Sequence, residues 1–264
     1  MTLGQTNNLE RFGFSFEKGG AHIARTMMLK ELRMLLAHVN DASADRTDYL
    51  DAIEEENCLS KRSGRGRKIT ARHLVDLYAL DPSVTLFRAM RFFWTRDVEA
   101  QPLLALLSAY SRDAVLRLSA PFIKDLHNGS VVSREDMESY FESTQPGRFS
   151  AATLRSTAQN LNGTWTLSGH LIGKIKKTRV TANATPGAVA YALLLGYLAG
   201  SRGASLFQTE YAKLLDCSAD RAAELAEDAS RRGWIVFKRV GDIQEVLFPN
   251  LLAAQEMEWV RDQS

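Results

Sequence analysis

The stretch RGWIVFKRVGDIQEVLFP, residues 232–249, decides the fold class of this chain. It follows a segment with helical periodicity that begins at Ser218, and Gly233 is placed to end that helix. Two short apolar runs then flank Gly241-Asp242, residue types typical of a tight turn between strands. The pattern therefore predicts a helix followed by a β-hairpin that spans Trp234 to Phe248.

The same junction occurs 64 positions earlier in the chain. Residues 168–174, SGHLIGK, match residues 232–238: a helix end, a glycine, mainly apolar residues and then a cation. Before this first junction, Ser150 is expected to cap one long helix. A shorter helix, Ser133 to Ser143, opens with Ser133 and Asp136 at the spacing of a capping box. Helices followed by a hairpin are the plan of the winged helix-turn-helix.

This repeat predicts a mainly α-helical fold, with a helical N-terminal domain followed by two winged helix-turn-helix-like units that carry short β-hairpin wings. The expected domains are 1–129, 130–183 and 184–264. In the last domain, helices are expected at Pro186–Gly200, Ser205–Leu215 and Ser218–Arg232. In the first domain, apolar residues at helical spacing predict helices at Ala21–Asn40, Asp45–Asn57, Thr70–Leu80, from Pro82 through residue 94, at 99–110 and at 111–127, with a basic loop before Thr70.

Composition indicates a folded protein of a reducing cytoplasm. The chain has 264 residues and a net charge of +2, and its two cysteines cannot form a disulfide framework. The first residues lack the basic start and apolar core of a secretory signal. Residues 180–201 carry no charge, but their apolar run is shorter than the roughly 20 residues of a membrane-spanning helix. We therefore expect a cytoplasmic protein with no membrane partner.

No catalytic or metal-binding motif is present in the sequence. The five histidines are scattered, without the spacing of a metal site, and neither a P-loop nor a G-x-S-x-G elbow occurs. The pattern favours a protein that is not an enzyme and takes no cofactor or metal. An enzyme without a recognisable motif stays open as an alternative.

A basic run at residues 61–72 is the first candidate for nucleic-acid contact. It carries no acid, although five acids occur directly before it, in residues 48–57. Arginine binds phosphate bidentately, and glycine lets the backbone approach it closely. We expect phosphate contacts from Arg65, Arg67, Lys68 and Arg72. A solvated surface loop is the alternative.

The helix that Ser150 caps is the second candidate. Leu154, Ala158, Leu161 and Trp165 form an apolar stripe typical of a core-facing side. The other side combines Ser156, Gln159 and Asn160 with Arg155 and contains no acid, which suits the mixed donors and acceptors of base edges. The wing that follows adds expected backbone contacts: Lys174, Lys176, Lys177 and Arg179. The alternative is a polar face exposed to solvent.

The C-terminal copy is the weaker candidate. Its third predicted helix carries acids that would repel phosphate, namely Asp220, Glu224, Glu227 and Asp228. Lys238 and Arg239 on its wing are the expected DNA contacts there. A winged helix that binds protein fits this acidic helix equally well.

Two segments taken together carry a resemblance to a known family. EEENCLSKRSGRGRKITARHLVDLY (54–78) and SRRGWIVFKRVGDIQEVLFP (230–249) make the chain similar to the BrxA family, small core proteins of the BREX bacteriophage-exclusion systems. The resemblance implies a cytoplasmic, non-enzymatic component that binds double-stranded DNA and acts with the other BREX proteins.

Three hypotheses follow for function. The first is a DNA-binding module within a phage-defence complex. The second is an adaptor whose winged helices bind protein partners, with basic patches that serve solubility. The third is a regulator that binds DNA or RNA on its own.

Overall fold

The computed structural model describes residues 8–241 and 243–261, and it is mainly helical with small antiparallel sheets. From residue 21 onward, its helices and strands follow in this order: α1 (Leu29–His38), α2 (Arg46–Glu54), α3 (Gly64–Tyr78), α4 (Thr85–Arg96), α5 (Gln101–Arg112), α6 (Ala114–Lys124), β1 (Val131–Val132), α7 (Arg134–Thr144), α8 (Ala151–Leu167), β2 (Leu171–Ile172), β3 (Lys177–Arg179), α9 (Pro186–Leu198), α10 (Glu210–Lys213), α11 (Ala219–Arg231), β4 (Val236–Val240), β5 (Ile243–Leu247) and α12 (Ala254–Arg261). Short 3₁₀ turns form at Ala21–Ile23, Val98–Ala100 and Gly203–Gln208.

The chain groups into two compact units, each built from segments that are not consecutive. The central unit comprises residues 16–83 and 108–180, and the C-terminal unit comprises the described residues of 1–15, 84–107 and 181–264. These boundaries differ from the three consecutive domains expected from the sequence. The difference arises because residues 108–129 pack with the elements up to residue 180, while residues 84–107 pack with the end of the chain.

From α6 onward, the described part of the central unit contains three helices and three short strands. α6 is followed by β1, then α7 and α8, and then the hairpin of β2 and β3. The three strands form an antiparallel sheet in the order β1-β3-β2, with Val131 and Ile172 both opposite Thr178. The capping box of Ser133 and Asp136 is confirmed, as is the Ser150 cap of α8, whose hydroxyl accepts the Thr153 N–H at 3.3 Å.

The repeated junction is confirmed at atomic detail. Gly169 and Gly233 both have left-handed backbones, with φ of 87° and 73°. In each case the next residue closes the helix: the N–H of His170 donates to the Trp165 carbonyl at 3.0 Å, and the N–H of Trp234 donates to the Ala229 carbonyl at 3.0 Å. This is the glycine-dependent helix stop that both sequence segments predict.

In the C-terminal unit, the uncharged stretch forms a core helix. Thr185 caps α9 and Pro186 takes its first position, where the missing N–H costs nothing. None of the described helices combines the length and apolarity that a membrane crossing requires. The predicted hairpin is present as β4 and β5, in register from Val236 opposite Leu247 to Val240 opposite Ile243. Its turn includes Asp242, which lies outside the described residues.

The basic run is a correction to the predicted secondary structure. Residues 64–78 are one helix, α3, and Ser63 caps it by accepting the Gly66 N–H at 3.1 Å. Thr70 is therefore an interior residue: it is buried, and its hydroxyl donates to the Gly66 carbonyl at 2.7 Å. Two glycines in the first turn made this start look like a loop, because glycine disfavours helix interiors.

Other helix boundaries also differ from the prediction. The expected helix Ala21–Asn40 is divided into a 3₁₀ turn and α1, because Met28 has a φ of 50° that no α-helix accommodates. Pro82 lies before α4 rather than in its first turn. The expected helix Ser205–Leu215 is a 3₁₀ turn followed by the four residues of α10.

A buried polar network holds the central unit together around Asp113. One carboxylate oxygen accepts the N–H groups of Val115 and Leu116 at 2.9 and 3.0 Å and so caps α6. The other lies 2.8 Å from Nδ1 of His22 and accepts the His22 backbone N–H at 3.1 Å. Nε2 of the same ring lies 3.0 Å from Oγ1 of Thr164 on α8. The network therefore joins the 3₁₀ turn to both α6 and α8.

This network should make the stability of the central unit sensitive to acid. Burial alone would raise the pKa of Asp113, but the charge and hydrogen bonds of His22 and the N–H groups that it accepts hold that pKa below its ordinary value. A depressed carboxyl pKa stabilises the fold above the unfolded-state pKa, and that stability is lost as pH falls through the folded-state pKa.

We expect Asp113→Asn to lower the free energy of unfolding by about 3 kcal/mol at pH 7, because it removes one partner of a buried pair while an amide can still cap α6. The loss should shrink below about pH 4, where the wild type also loses the interaction. Denaturant titration at several pH values measures both effects. The exposed Asp125→Asn is the control and should change stability by at most about 0.5 kcal/mol. An equal loss at every pH would contradict the assignment.

Candidate nucleic-acid interface

α3 presents a row of cations to solvent. Arg65, Lys68 and Arg72 are exposed and fall at positions i, i+3 and i+7, which places them on one face of the helix. The opposite side is buried, including Leu74 and Leu77. Among the described residues, no carboxylate forms a direct ion pair with any of the three cations, although the charge of Arg72 acts on Asp76 one turn further along the helix. The helix therefore holds three charges outward at fixed spacing.

Arg67 lies off this row, which corrects its expected role. It is half-buried, and its guanidinium donates to the carbonyl oxygen of Glu55 at 3.3 Å. Lys61 likewise turns inward and pairs with Glu31 at 3.0 Å. Lys61 and Arg67 thus hold the start of α3 in place, while Arg65, Lys68 and Arg72 remain exposed on the outer face of the helix.

A further cation, Arg25, belongs near this row. Arg25 is exposed and follows the 3₁₀ turn. The pKa of His73 on α3 is lowered, mainly by burial and then by the charges of Arg25 and Arg72, so both arginines lie near enough to His73 for their charges to act on it. Sequence reasoning missed Arg25 because a single cation in an apolar segment gives no charge pattern.

The outward face of α8 is only partly open. Arg155 and Gln159 are exposed. Asn160 is half-buried, and its side-chain amide donates to the carbonyl oxygen of His22 at 3.2 Å. The hydroxyl of Ser156 lies 2.9 Å from the Thr153 carbonyl of its own helix and 3.3 Å from the carbonyl of Ile23. The segment around the 3₁₀ turn therefore covers one side of the face predicted to read bases.

Gly163 shows how closely that segment approaches. A Cβ atom at this position would lie 2.9 Å from Cγ2 of Thr26, so only glycine fits without a shift. The same contact extends to Met27, whose N–H donates to Oγ1 of Thr164 at 2.8 Å. Residues 22–27 thus contact α8 between positions 156 and 164, which narrows the open strip of the helix.

The cations on the hairpin of β2 and β3 differ in exposure. Lys174 and Lys176 are exposed at the tip, and within the described chain neither is paired with a carboxylate. Lys177 is half-buried, and its ammonium donates to Oγ1 of Thr166 on α8 at 2.8 Å. Burial lowers the pKa of Lys177. Its expected phosphate contact is therefore replaced by a link between hairpin and helix.

Arg179 is also a correction. It is 4% exposed, and its guanidinium donates to the backbone carbonyls of Ile123 at 3.1 Å, of His170 at 3.4 Å and of Val180. A buried cation with these partners cannot reach a phosphate. Arg179 instead ties the end of α6 to the base of the hairpin.

The C-terminal hairpin differs in its charges. Lys238 lies 3.7 Å from Glu245 across the strands, and on α11 Arg231 lies 2.6 Å from Asp228. Arg221 is paired with Glu224 in the same way, at 2.7 Å. Arg239 is exposed, opposite Gln244. Most cations of this unit's third helix and hairpin are thus neutralised locally, whereas Lys174 and Lys176 on the hairpin of the central unit are not.

The described residues contain no cluster of three or more histidine, cysteine or acidic side chains arranged to hold a metal ion. The chain matches no protein-family model, no curated protein and no solved structure. The site is therefore interpreted from its own geometry and charge.

Unfolding measurements can test whether Arg179 is structural while Lys174 is not. We expect Arg179→Gln to lower the free energy of unfolding by about 2 kcal/mol or more, because buried carbonyls lose their donors. The matched change Lys174→Gln removes an exposed charge from the same hairpin and should alter stability by at most about 0.5 kcal/mol. Thermal and denaturant unfolding measure both. Equal effects of the two substitutions would show that Arg179 is not structural.

Proposed function

We propose that this protein binds double-stranded DNA without catalysis, and that the central unit makes the contact. One observation carries the proposal: the row of exposed, unpaired cations on α3, together with Arg25 and the two lysines at the hairpin tip of the same unit. Lysine and arginine that meet no carboxylate are free to replace the counterions of a phosphate backbone. The near-neutral net charge does not oppose this, because phosphate contact depends on the local charge of the row rather than on the charge of the whole chain.

The order of elements supports a winged helix-turn-helix in the central unit. A helix, a short strand, two helices and a hairpin, with the first strand beside the last, is how such domains are built, and α6 to β3 follow that order. In this interpretation α8 is the recognition helix and the hairpin of β2 and β3 is the wing. The wing lysines and the exposed strip of α8 would then meet the duplex together.

The narrow open strip of α8 favours weak sequence preference. Arg155 and Gln159 are the exposed side chains on this helix that suit base edges, while Asn160 and Ser156 bond to backbone carbonyls. Phosphate contacts position a protein on the duplex, and base contacts give it specificity. A protein with many phosphate contacts and few base contacts binds DNA with little dependence on its sequence.

The resemblance to the BrxA family supports the biological setting. We propose that the protein is a cytoplasmic component of a BREX phage-exclusion system and acts with the other proteins of that system. A stand-alone regulator would need stronger base readout than the open strip of α8 provides.

The exposed apolar side chains on the hairpin of the C-terminal unit favour a role in binding another protein. Val240 and Ile243 are 77% and 75% exposed on the same face, with the neutralised pair of Lys238 and Glu245 beside them. Exposed apolar side chains among cancelled charges suit a protein partner better than a phosphate backbone. We propose another protein of the same defence system as that partner.

The proposal predicts a specific loss of salt-dependent binding. Replacing Arg65, Lys68 and Arg72 together by Gln should reduce the slope of log K against log salt by about 2.7, since each phosphate contact contributes roughly 0.9. Fluorescence anisotropy on duplex DNA at several salt concentrations measures the slope. Circular dichroism of the variant checks that α3 remains helical.

The control removes an equal charge from paired sites. Arg221, Arg231 and Lys238 each lie beside a carboxylate in the C-terminal unit, so their triple replacement by Gln should leave the slope nearly unchanged. If both triple variants lose binding equally, net charge rather than the α3 row explains the affinity. If only the control variant loses it, the C-terminal unit is the DNA contact.

A further inference from the structure

The tip of the first hairpin carries an isoleucine that the fold does not use. Ile175 is 93% exposed, the largest exposed fraction among the exposed large apolar side chains of the described residues. It lies in the four-residue turn, residues 173–176, that connects β2 to β3. An apolar side chain in water contributes no burial free energy to the fold. Packing within the fold therefore does not account for its position, and its neighbours decide whether it has a role.

The tip is held in a defined position. Gly173 has a φ of +105°, and a Cβ atom there would lie 2.4 Å from the carbonyl oxygen of Lys176, so the turn requires glycine. The ammonium of Lys177 donates to the Gly173 carbonyl at 3.4 Å and to Oγ1 of Thr166 at 2.8 Å. These contacts fasten the hairpin to the end of α8. Ile175 thus projects from a braced turn.

The neighbours of Ile175 indicate what it meets. Lys174 and Lys176 flank it, both exposed and, among the described residues, unpaired with any carboxylate. Two cations suit the phosphates on either side of a groove. The remaining apolar surface of a duplex is the stacked base pairs, which a branched aliphatic side chain can enter from the minor groove.

We propose that Ile175 is a wedge that inserts between two base pairs from the minor groove and kinks the duplex, while Lys174 and Lys176 hold the adjacent phosphates. This inference rests on the proposed DNA binding and adds a deformation to it. A wedge reads how easily a step unstacks rather than which bases form it. It therefore accounts for DNA recognition with few base contacts on α8.

The second hairpin provides the contrast. Ile243 is also exposed at the start of β5, but Val240 lies opposite it and the nearby Lys238 is paired with Glu245. The second hairpin therefore has apolar exposure without unpaired lysines on either side of the isoleucine. Ile243 is the matched control for Ile175, with the same side chain and a similar exposure.

The test compares binding to two duplexes of about 20 base pairs, one fully paired and one with a central mismatch that unstacks more easily. The wild type should prefer the mismatched duplex by about tenfold, since unstacking costs least there. It should also shorten the distance between dyes at the two duplex ends, as a kink of 20–90° requires. Ile175→Ser should lose both effects, keep the salt slope and bind the paired duplex within a few-fold of the wild type. Ile175→Leu and Ile243→Ser should behave like the wild type.

Each other outcome has a distinct meaning. If Ile175→Ser keeps the mismatch preference and the kink, Ile175 is not a wedge. A wild type that binds both duplexes equally, with a steep salt slope and no kink, also overturns the wedge but leaves the proposed DNA binding intact. A wild type that binds neither duplex at low salt overturns both. If Ile175→Ser instead abolishes binding to vesicles of anionic phospholipid and changes nothing on DNA, the tip contacts lipid, and the wedge is wrong.

Discussion

The central unit depends on one carboxylate that solvent does not reach. Asp113 is 1% exposed, caps α6 and accepts from both the backbone and the ring of His22. The other ring nitrogen of His22 meets Thr164, so a single chain of hydrogen bonds joins three parts of the unit. The network also requires glycine at position 20, because a Cβ atom there would collide with the Asp113 carboxylate. Burying a charge is tolerated only with partners of this kind.

That network also shapes the proposed interface. By fastening residues 21–27 against α8, it covers Asn160 and leaves Arg155 and Gln159 open. It also holds the segment that carries Arg25, whose charge acts together with that of Arg72 on His73 of α3. The sharply sorted charge of residues 48–72 has a related explanation. Inward cations bond to Glu31 and to the Glu55 carbonyl, and the outward ones remain free for a polyanion.

The features that sequence alone predicted are those set by neighbours along the chain. The caps of α7 and α8, the glycine stops after α8 and α11 and the β4–β5 hairpin all depend on residues a few positions apart, and all are present. The predicted start of α3 at Thr70 is wrong because the helix begins at Gly64, where the Ser63 cap offsets the low helix propensity of Gly64 and Gly66. The side chains of Asn160 and Arg179 differ from their expected exposed positions for another reason. Their partners lie 138 and 56 positions away, so no local pattern shows that they are occupied.

The central claim, that the central unit carries the DNA contact, can be tested most directly by lysine footprinting. The protein is acetylated with and without saturating duplex DNA at low salt, and modification of each lysine is measured by mass spectrometry. We expect duplex to protect Lys68, Lys174 and Lys176, and to leave Lys213 and Lys238 of the C-terminal unit as reactive as before. Protection of Lys213 and Lys238, with unchanged reactivity at the other three, would contradict the claim and place the interface on the C-terminal unit.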